Sequence, residues 1–255
     1  LPRPEIVIQP DAQSVAETAA RFVVAAVREA IAERGWCAVA LSGGTTPRDL
    51  YRRLAGSPTR EQIDWERVHL LWGDERVVPP DHPDSNYRMT REILLEHVPI
   101  PSSNIYRIPV ELGAVAAAAQ YEQTLQRVFG TDRGAIPEFD LILLGVGADG
   151  HTASLFPHTP ALGAHDRLVT PSETPAAVVP RVTLTVPVLQ AGRRVIVLVT
   201  GKDKAEAVAR AIDGVEDIEE TPAQLLRYAA GRVTWVLDRA AACHLRSAAA
   251  CWDTD

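Results

Sequence analysis

The stretch from Leu143 to Pro160, LLGVGADGHTASLFPHTP, concentrates residue types that do chemistry. Gly145, Gly147 and Gly150 spell G-x-G-x-x-G directly after the apolar run FDLILL, and the same residues also read G-x-x-x-x-G-H-T. A dinucleotide site needs a full helix after the third glycine, and an acid about 20 residues on for the ribose. Here Phe156-Pro157 allows little more than a turn of helix, and Asp166 and Glu173 lie in an irregular, proline-rich stretch. The phosphate-loop reading fails on chemistry, because a neutral imidazole cannot supply the fixed cation that lysine brings to the β- and γ-phosphates. What remains is a glycine-rich turn offering backbone N–H groups and ending in Asp149-Gly150-His151. Histidine is the side chain best suited to general-base work near neutral pH, and Asp149 can orient the ring or raise its basicity. By itself a DGH turn is more often structural, a histidine at a strand end; the neighbouring loops favour the catalytic reading.

SGGTTP places Gly43, Gly44 and Thr45 before a helix, whose start can bind an anion through free N–H groups and the helix dipole or can be a plain tight turn and cap. TGKDKA carries Lys202 and Lys204, the only lysines in a chain with 26 basic side chains, all others being arginine. Cations in a first helical turn oppose the dipole, so this pair suggests a phosphate site wanting a compact ammonium more than two solvated charges. WGDER sets Asp74, Glu75 and Arg76 after a strand, as a surface ion-pair cluster or as groups that contact a polyol. Arg181, before TLTV, is by itself an unremarkable strand-start residue.

The elements that must position these loops follow from periodicity. A helix is expected over Ala12 to Arg34, with Ser14 and Glu17 as a capping box and Gly35 as its stop. Strands are expected at Cys37 to Ser42, Val68 to Gly73, FDLILLG, Arg181 to Val186, Arg194 to Gly201 and VTWVLD. Helices are expected from Pro47 (with Thr46 capping) to Gly56, then over Tyr87 to His97, Leu112 to Phe129, Lys202 to Ile212 and Pro222 to Ala230, with a short one at the C-terminus. The segment DERVVPPDHPDSN reads as loop. Continuous apolar strands alternating with amphipathic helices predict one doubly wound, mainly parallel α/β domain over residues 1–255, a modified Rossmann-like sheet with helices on both faces. In such sheets ligands bind beyond the carboxyl ends of the strands, where all four loops are expected to converge.

Composition narrows the class. A net charge of −7 and a pI near 5.5 argue against nucleic acid as the partner. No apolar run reaches the length of a membrane span, and LPRPEIVIQP lacks the pattern of a signal peptide. Cys37, Cys243 and Cys251 show no CxxC spacing, which suits a reducing, cytoplasmic setting and no structural zinc. His151, His158 and His165 recur every seven residues, but Pro157, Pro160 and Gly163 break any helix that would align them.

Taken together, LSGGTTP, WGDERVVPPDHPDSNY, LLGVGADGHTASLFPHTP, PRVTLTVPVL and VTGKDKA resemble the 6-phosphogluconolactonase family, within the group that includes glucosamine-6-phosphate deaminases. The matching residues run in order from Leu41 to Ala205. The resemblance implies hydrolysis of 6-phospho-D-glucono-1,5-lactone in the oxidative pentose phosphate pathway, with His151 as general base. It implies Gly43, Gly44, Thr45, Arg181 and Lys204 around the phosphate, Arg76 near the reacting carboxyl end, and no metal or cofactor. Asp149 and Asp74 complete the candidate set, and a monomer or small homo-oligomer is expected. Lys204 matches the family's G-x-x-K-A lysine and Lys202 does not; His158 stands where the family usually has glycine. Deaminases of this group carry DGHIAFNEP, whereas Asp149 to Pro157 here reads DGHTASLFP, with no acid after the histidine. A non-catalytic sugar-phosphate sensor is the remaining rival, and an intact DGH argues against it.

Overall fold

A computed structural model describes residues 4–132, 134–173 and 179–246. Its main sheet has seven strands, β1 (Glu5–Gln9), β2 (Cys37–Leu41), β3 (Val68–Trp72), β5 (Ile105–Tyr106), β6 (Leu141–Leu144), β9 (Arg194–Val199) and β10 (Arg232–Asp238). They lie in the order β1-β10-β9-β6-β2-β3-β5, and every pairing is parallel. A second sheet of three antiparallel strands joins β4 (Asp74–Arg76), β8 (Arg181–Leu184) and β7 (Val169–Ser172). The helices are α1 (Ala12–Arg34), α2 (Thr45–Ala55), α3 (Asn86–Ile93), α4 (Ala114–Phe129), α5 (Val186–Ala191), α6 (Ala205–Asp213) and α7 (Arg239–Ala242). This is a modified Rossmann-like α/β fold.

The central strands β2 and β6 are buried at every position, which is why CAVAL and LILL are continuous apolar runs without alternation. From β2 the chain first builds outward through β3 and β5, then returns to the other side of β2 with β6, β9 and β10. The switch point therefore falls between β2 and β6, where loops after adjacent strand ends diverge and leave a crevice. SGGTTP follows one of these strands and GVGADGHT the other. Two buried tyrosines fix the backbone there. The Tyr51 hydroxyl donates to the Ser42 carbonyl (2.8 Å) and accepts from its N–H (3.0 Å); Tyr121 does the same at Trp72, at 3.0 and 2.7 Å. Burial pushes both phenols up, so they remain protonated donors.

Several expectations are corrected. Helix α1 is capped by Asp11, whose carboxylate accepts from Ser14 N–H at 2.8 Å; Ser14 lies inside the first turn, and no Ser14–Glu17 box forms. Gly35 does end it, in the left-handed region at φ 83°. Helix α2 begins at Thr45 after Gly44, so Thr46 does not cap and Pro47 lies within the first turn. Asp74–Arg76 is a strand, and Arg181–Leu184 belongs to the antiparallel sheet, with Val186 opening α5. Short 3₁₀ turns replace the ends of three expected helices, at Leu95–His97, Val110–Leu112 and Lys202–Lys204, and Pro222–Tyr228 is 3₁₀ throughout. Cys251 lies outside the described residues. Among the described residues no helix is long and apolar enough to cross a membrane.

Candidate active site

Members of all four loops line one cavity of about 240 Å³ beyond the switch point. The GGTTP loop supplies Gly43, Gly44, Thr45 and Thr46; the strand after Trp72 supplies Asp74 and Arg76; the glycine-rich loop supplies Gly145, Gly147 and His151; Arg181, Thr200 and Lys204 close the ring. Lys202 is exposed and is not part of this wall. Asp149 is not on the wall either, but stands directly behind His151.

The imidazole Nδ1 of His151 lies 2.6 Å from Asp149 Oδ1, and the His151 backbone N–H donates to the same oxygen at 3.1 Å. An ionised carboxylate only accepts, so Nδ1 carries the hydrogen and Nε2 keeps its lone pair. Burial pushes the Asp149 carboxyl up, but the hydrogen bond and charge of His151 outweigh it and leave the group below its ordinary value. The pair fits because position 147 lacks a side chain: a Cβ there would fall 2.1 Å from His151 Nδ1 and 2.5 Å from Asp149 Oδ1. Gly150, at φ 95°, turns the chain between the two partners. Behind it, Ala223 N–H donates to the Gly150 carbonyl at 3.0 Å. The ring of Phe156, centred 4.4 Å from the imidazole, also lies under the Arg181 guanidinium at 5.4 Å, and so seats both groups.

Arg76 and Arg181 are cross-strand partners in the β4–β8 ladder. Arg76 is anchored through Nη1 to the Asp84 carbonyl at 2.8 Å, while the buried Nε atoms of both arginines have no hydrogen-bond partner among the described residues. Burial, and then the neighbouring Arg76 charge, push the Arg181 guanidinium down, with Asp74, Asp84 and Glu75 opposing. Lys204 Nζ lies 3.2 Å from Asp203. Helix α2 starts with no side chain on its first N–H groups, and Thr46 Oγ1 meets Thr200 Oγ1 at 2.8 Å across the strand ends.

Asp74 is buried, its Oδ2 accepting from Ser154 Oγ at 2.6 Å. Glu75, read from sequence beside it as a surface charge or a polyol contact, does something else. Its carboxylate accepts from the N–H groups of Arg76, Asn86 and Tyr87, each at 2.8 Å, and so caps α3 from inside the protein. Burial pushes its carboxyl up, against those three hydrogen bonds. Sequence reasoning missed Ser42, Asn86 and Phe156. The SNY and LFP segments carried a signal, but Ser85-Asn86 looks like a helix cap, which Ser85 indeed is, accepting from Arg88 N–H at 3.1 Å. His158 occupies φ 56°, the left-handed region that favours glycine, and its ring pairs with Glu220 at 2.8 Å. That backbone conformation accounts for glycine being usual at this position. Among the described residues no cluster of three or more His, Cys, Asp or Glu is placed to hold a metal ion.

A Rossmann-like sheet with two arginines, a lysine and an open helix N-terminus at its switch point defines an α/β protein whose cavity suits a small anionic molecule. The family model described as glucosamine-6-phosphate isomerases/6-phosphogluconolactonase matches residues 10–235, and the chain belongs to that family. It is 43% identical over 244 residues to a 6-phosphogluconolactonase of Synechocystis sp., covering 95% of this chain and 99% of that protein. The solved 6-phosphogluconolactonase of Trypanosoma brucei matches with a TM-score of 0.87 at 29% identity, over 95% of this chain and 99% of the other. A monomeric glucosamine-6-phosphate deaminase matches with a TM-score of 0.79 at 22% identity, over 94% and 99%, a likeness of fold alone.

Proposed function

We propose that this chain is a hydrolase that opens 6-phospho-D-glucono-1,5-lactone to 6-phosphogluconate, the second step of the oxidative pentose phosphate pathway. The observation that carries the reading is His151, backed by Asp149, standing on the same cavity wall as two arginines whose buried Nε atoms have no hydrogen-bond partner among the described residues. A lactone is an ester. Its hydrolysis needs an activated water, a stabilised tetrahedral oxyanion and a proton for the departing ring oxygen.

His151 Nε2 takes a proton from water as the oxygen adds to C1, and Asp149 steadies the imidazolium that forms. Charge on the former carbonyl oxygen is met by the Arg76 guanidinium or by backbone N–H groups of the glycine-rich loop. When the C1–O5 bond breaks, the imidazolium returns its proton to the ring oxygen, leaving the open-chain acid. Arg181, Lys204 and the Gly43-Gly44-Thr45 turn at the start of α2 hold the 6-phosphate, which positions the ring through binding energy remote from the reaction. No G-x-S-x-G elbow provides a nucleophile for an acyl-enzyme, so water attacks directly.

The decisive experiment is stopped-flow hydrolysis of freshly generated lactone, corrected for its spontaneous opening. Enzyme-dependent acid release on the phosphorylated lactone, and much less on plain gluconolactone, is the expected result. A rate equal to the spontaneous one refutes the reading.

A further inference from the structure

We propose that Ser42 and Asn86, with Asp74, form a hydroxyl-reading subsite that selects the stereochemistry of the sugar chain, separate from the cations that hold its phosphate. The proposal rests on the sugar-phosphate reading above and names residues on which that reading does not depend. Ser42 is 5% exposed and lines the cavity. Its backbone N–H and carbonyl are both committed to the Tyr51 hydroxyl, which fixes the main chain at this position. Yet its Oγ is buried with no hydrogen-bond partner among the described residues. A hydroxyl fixed in that way is costly to keep unless something else bonds it.

Asn86, on the other side of Gly43, is 3% exposed and lines the same wall. Its Nδ2 donates to the Asp74 carbonyl at 3.0 Å and approaches Asp74 Oδ1 at 3.4 Å. That contact aims Oδ1, the acceptor end of the amide, across Gly43, where a Cβ would fall 1.9 Å from it. Ser154 holds the other Asp74 oxygen. Asn86 and Asp74 are thus held by protein groups while their oxygens keep accepting capacity, Ser42 keeps its whole hydroxyl, and all three residues line the cavity. The set offers one hydroxyl, one amide carbonyl and one carboxylate. The amide oxygen and the carboxylate suit the O–H hydrogens of a polyol and repel phosphate oxygens, and the serine hydroxyl can donate to or accept from a sugar hydroxyl, whereas Arg181, Lys204 and the α2 N-terminus suit an anion. A site built to bond a hydroxyl discriminates steeply against ligands that lack it, because its own buried groups are then left unpaired.

The test is equilibrium binding by titration calorimetry of 6-phosphogluconate, its 2-, 3- and 4-deoxy analogues and inorganic phosphate. It compares the wild type with Ser42→Ala, Ser42→Thr and Asn86→Ala. The wild type is expected to lose about tenfold or more on at least one deoxy analogue. Ser42→Ala or Asn86→Ala should weaken 6-phosphogluconate by a similar factor, add no further loss on that analogue, and leave inorganic phosphate within about threefold. Ser42→Thr, which retains the hydroxyl, should restore the discrimination. Equal losses on every ligand including inorganic phosphate would assign these residues to the phosphate, and unchanged binding throughout would remove them from the site; either overturns the proposal. Because the readout is binding, a protein that shows this pattern but opens no lactone refutes the reaction and keeps the subsite. Lactone hydrolysis without the pattern does the opposite.

Discussion

Arg76 and Arg181 face each other as cross-strand partners, and neither Nε finds a hydrogen-bond partner among the described residues. Two guanidiniums brought together in a half-buried wall repel one another, and burial and Arg76 both push the Arg181 group down. An anion bound between them would relieve that repulsion, as the proposed phosphate contact of Arg181 requires. We expect the two to separate kinetically. Arg181→Ala and Lys204→Ala should weaken phosphorylated ligands roughly 10- to 100-fold, the worth of one charge-assisted hydrogen bond, with little effect on plain gluconolactone. Arg76→Ala should lower kcat more than it raises KM. Lys202→Ala, on an exposed residue away from the cavity wall, should change little. Steady-state kinetics on both lactones checks this, and equal losses on the two substrates would make Arg181 and Lys204 structural.

Removing the imidazole should remove most turnover. His151→Ala or His151→Asn is expected to lower kcat by about 10²–10⁴-fold, the usual contribution of a positioned acid–base group. The fold and the binding of phosphogluconate should survive, since the ring is partly exposed and its hydrogen-bond partner among the described residues is the Asp149 side chain. Circular dichroism and calorimetry check the second half. Near wild-type kcat in the alanine variant would require a different base.

The position of the Asp149 titration reports the pair directly. Its carboxyl lies below its ordinary value because the His151 hydrogen bond and charge overcome burial. For a carboxyl with a depressed folded value, the stabilisation is full above the unfolded value and is lost as pH falls through the folded one. In His151→Ala the side-chain hydrogen bond and charge vanish while the backbone N–H of residue 151 still donates to the carboxylate, so the Asp149 value should rise from its depressed position. Carbon-detected NMR titration of the carboxyl is the measurement. An unmoved midpoint would show that the two side chains do not interact in solution.

Much of this site was legible because its loops follow fully buried strands, and an apolar run such as CAVAL or LILL announces both its strand and the loop beyond it. The antiparallel sheet was hidden for a different reason. Asp74–Arg76 is three residues long, and its partner Arg181–Leu184 lies about a hundred positions away, so no local period records the pairing. Glu75 was misread because a carboxylate between Asp and Arg suggests solvent, whereas three backbone N–H groups hold it inside. Ser42 and Asn86 were missed because serine and asparagine at element ends serve as caps far more often than as ligands. Only burial together with an unsatisfied or aimed polar atom separates the two uses.

Gly147 makes a prediction from shape alone. Gly147→Ala would place a methyl group 2.1 Å from His151 Nδ1, so either the imidazole or the Asp149 carboxylate must move. Catalytic geometry tolerates little of that displacement, and a loss of about 10²-fold in kcat is expected with KM nearly unchanged. Gly163→Ala, where an added Cβ meets nothing within 4 Å, is the matched control. Full activity in Gly147→Ala would mean that the histidine does not need its aspartate.

Finally, turnover of glucosamine 6-phosphate to ammonia and fructose 6-phosphate should be absent or far slower than lactone opening. The fold cannot decide this, since a deaminase shares it. The loop after His151 can. In the deaminase pattern DGHIAFNEP a glutamate follows the histidine and supports ring opening; here residues 152–156 are Thr, Ala, Ser, Leu and Phe. Their side chains are spent otherwise. Thr152 donates to the Gly145 carbonyl, Ser154 donates to Asp74, and Phe156 packs under His151 and Arg181. The carboxylate bonded to the imidazole is Asp149, on the Nδ1 side, which leaves Nε2 as the acceptor that the proposed hydrolysis requires. Moving a proton between C1 and C2 of an amino sugar would need a second group that this loop does not provide. Coupled assays for ammonia and fructose 6-phosphate, run beside lactone hydrolysis on one preparation, measure the ratio. Comparable turnover of the two substrates would overturn the assignment to hydrolysis.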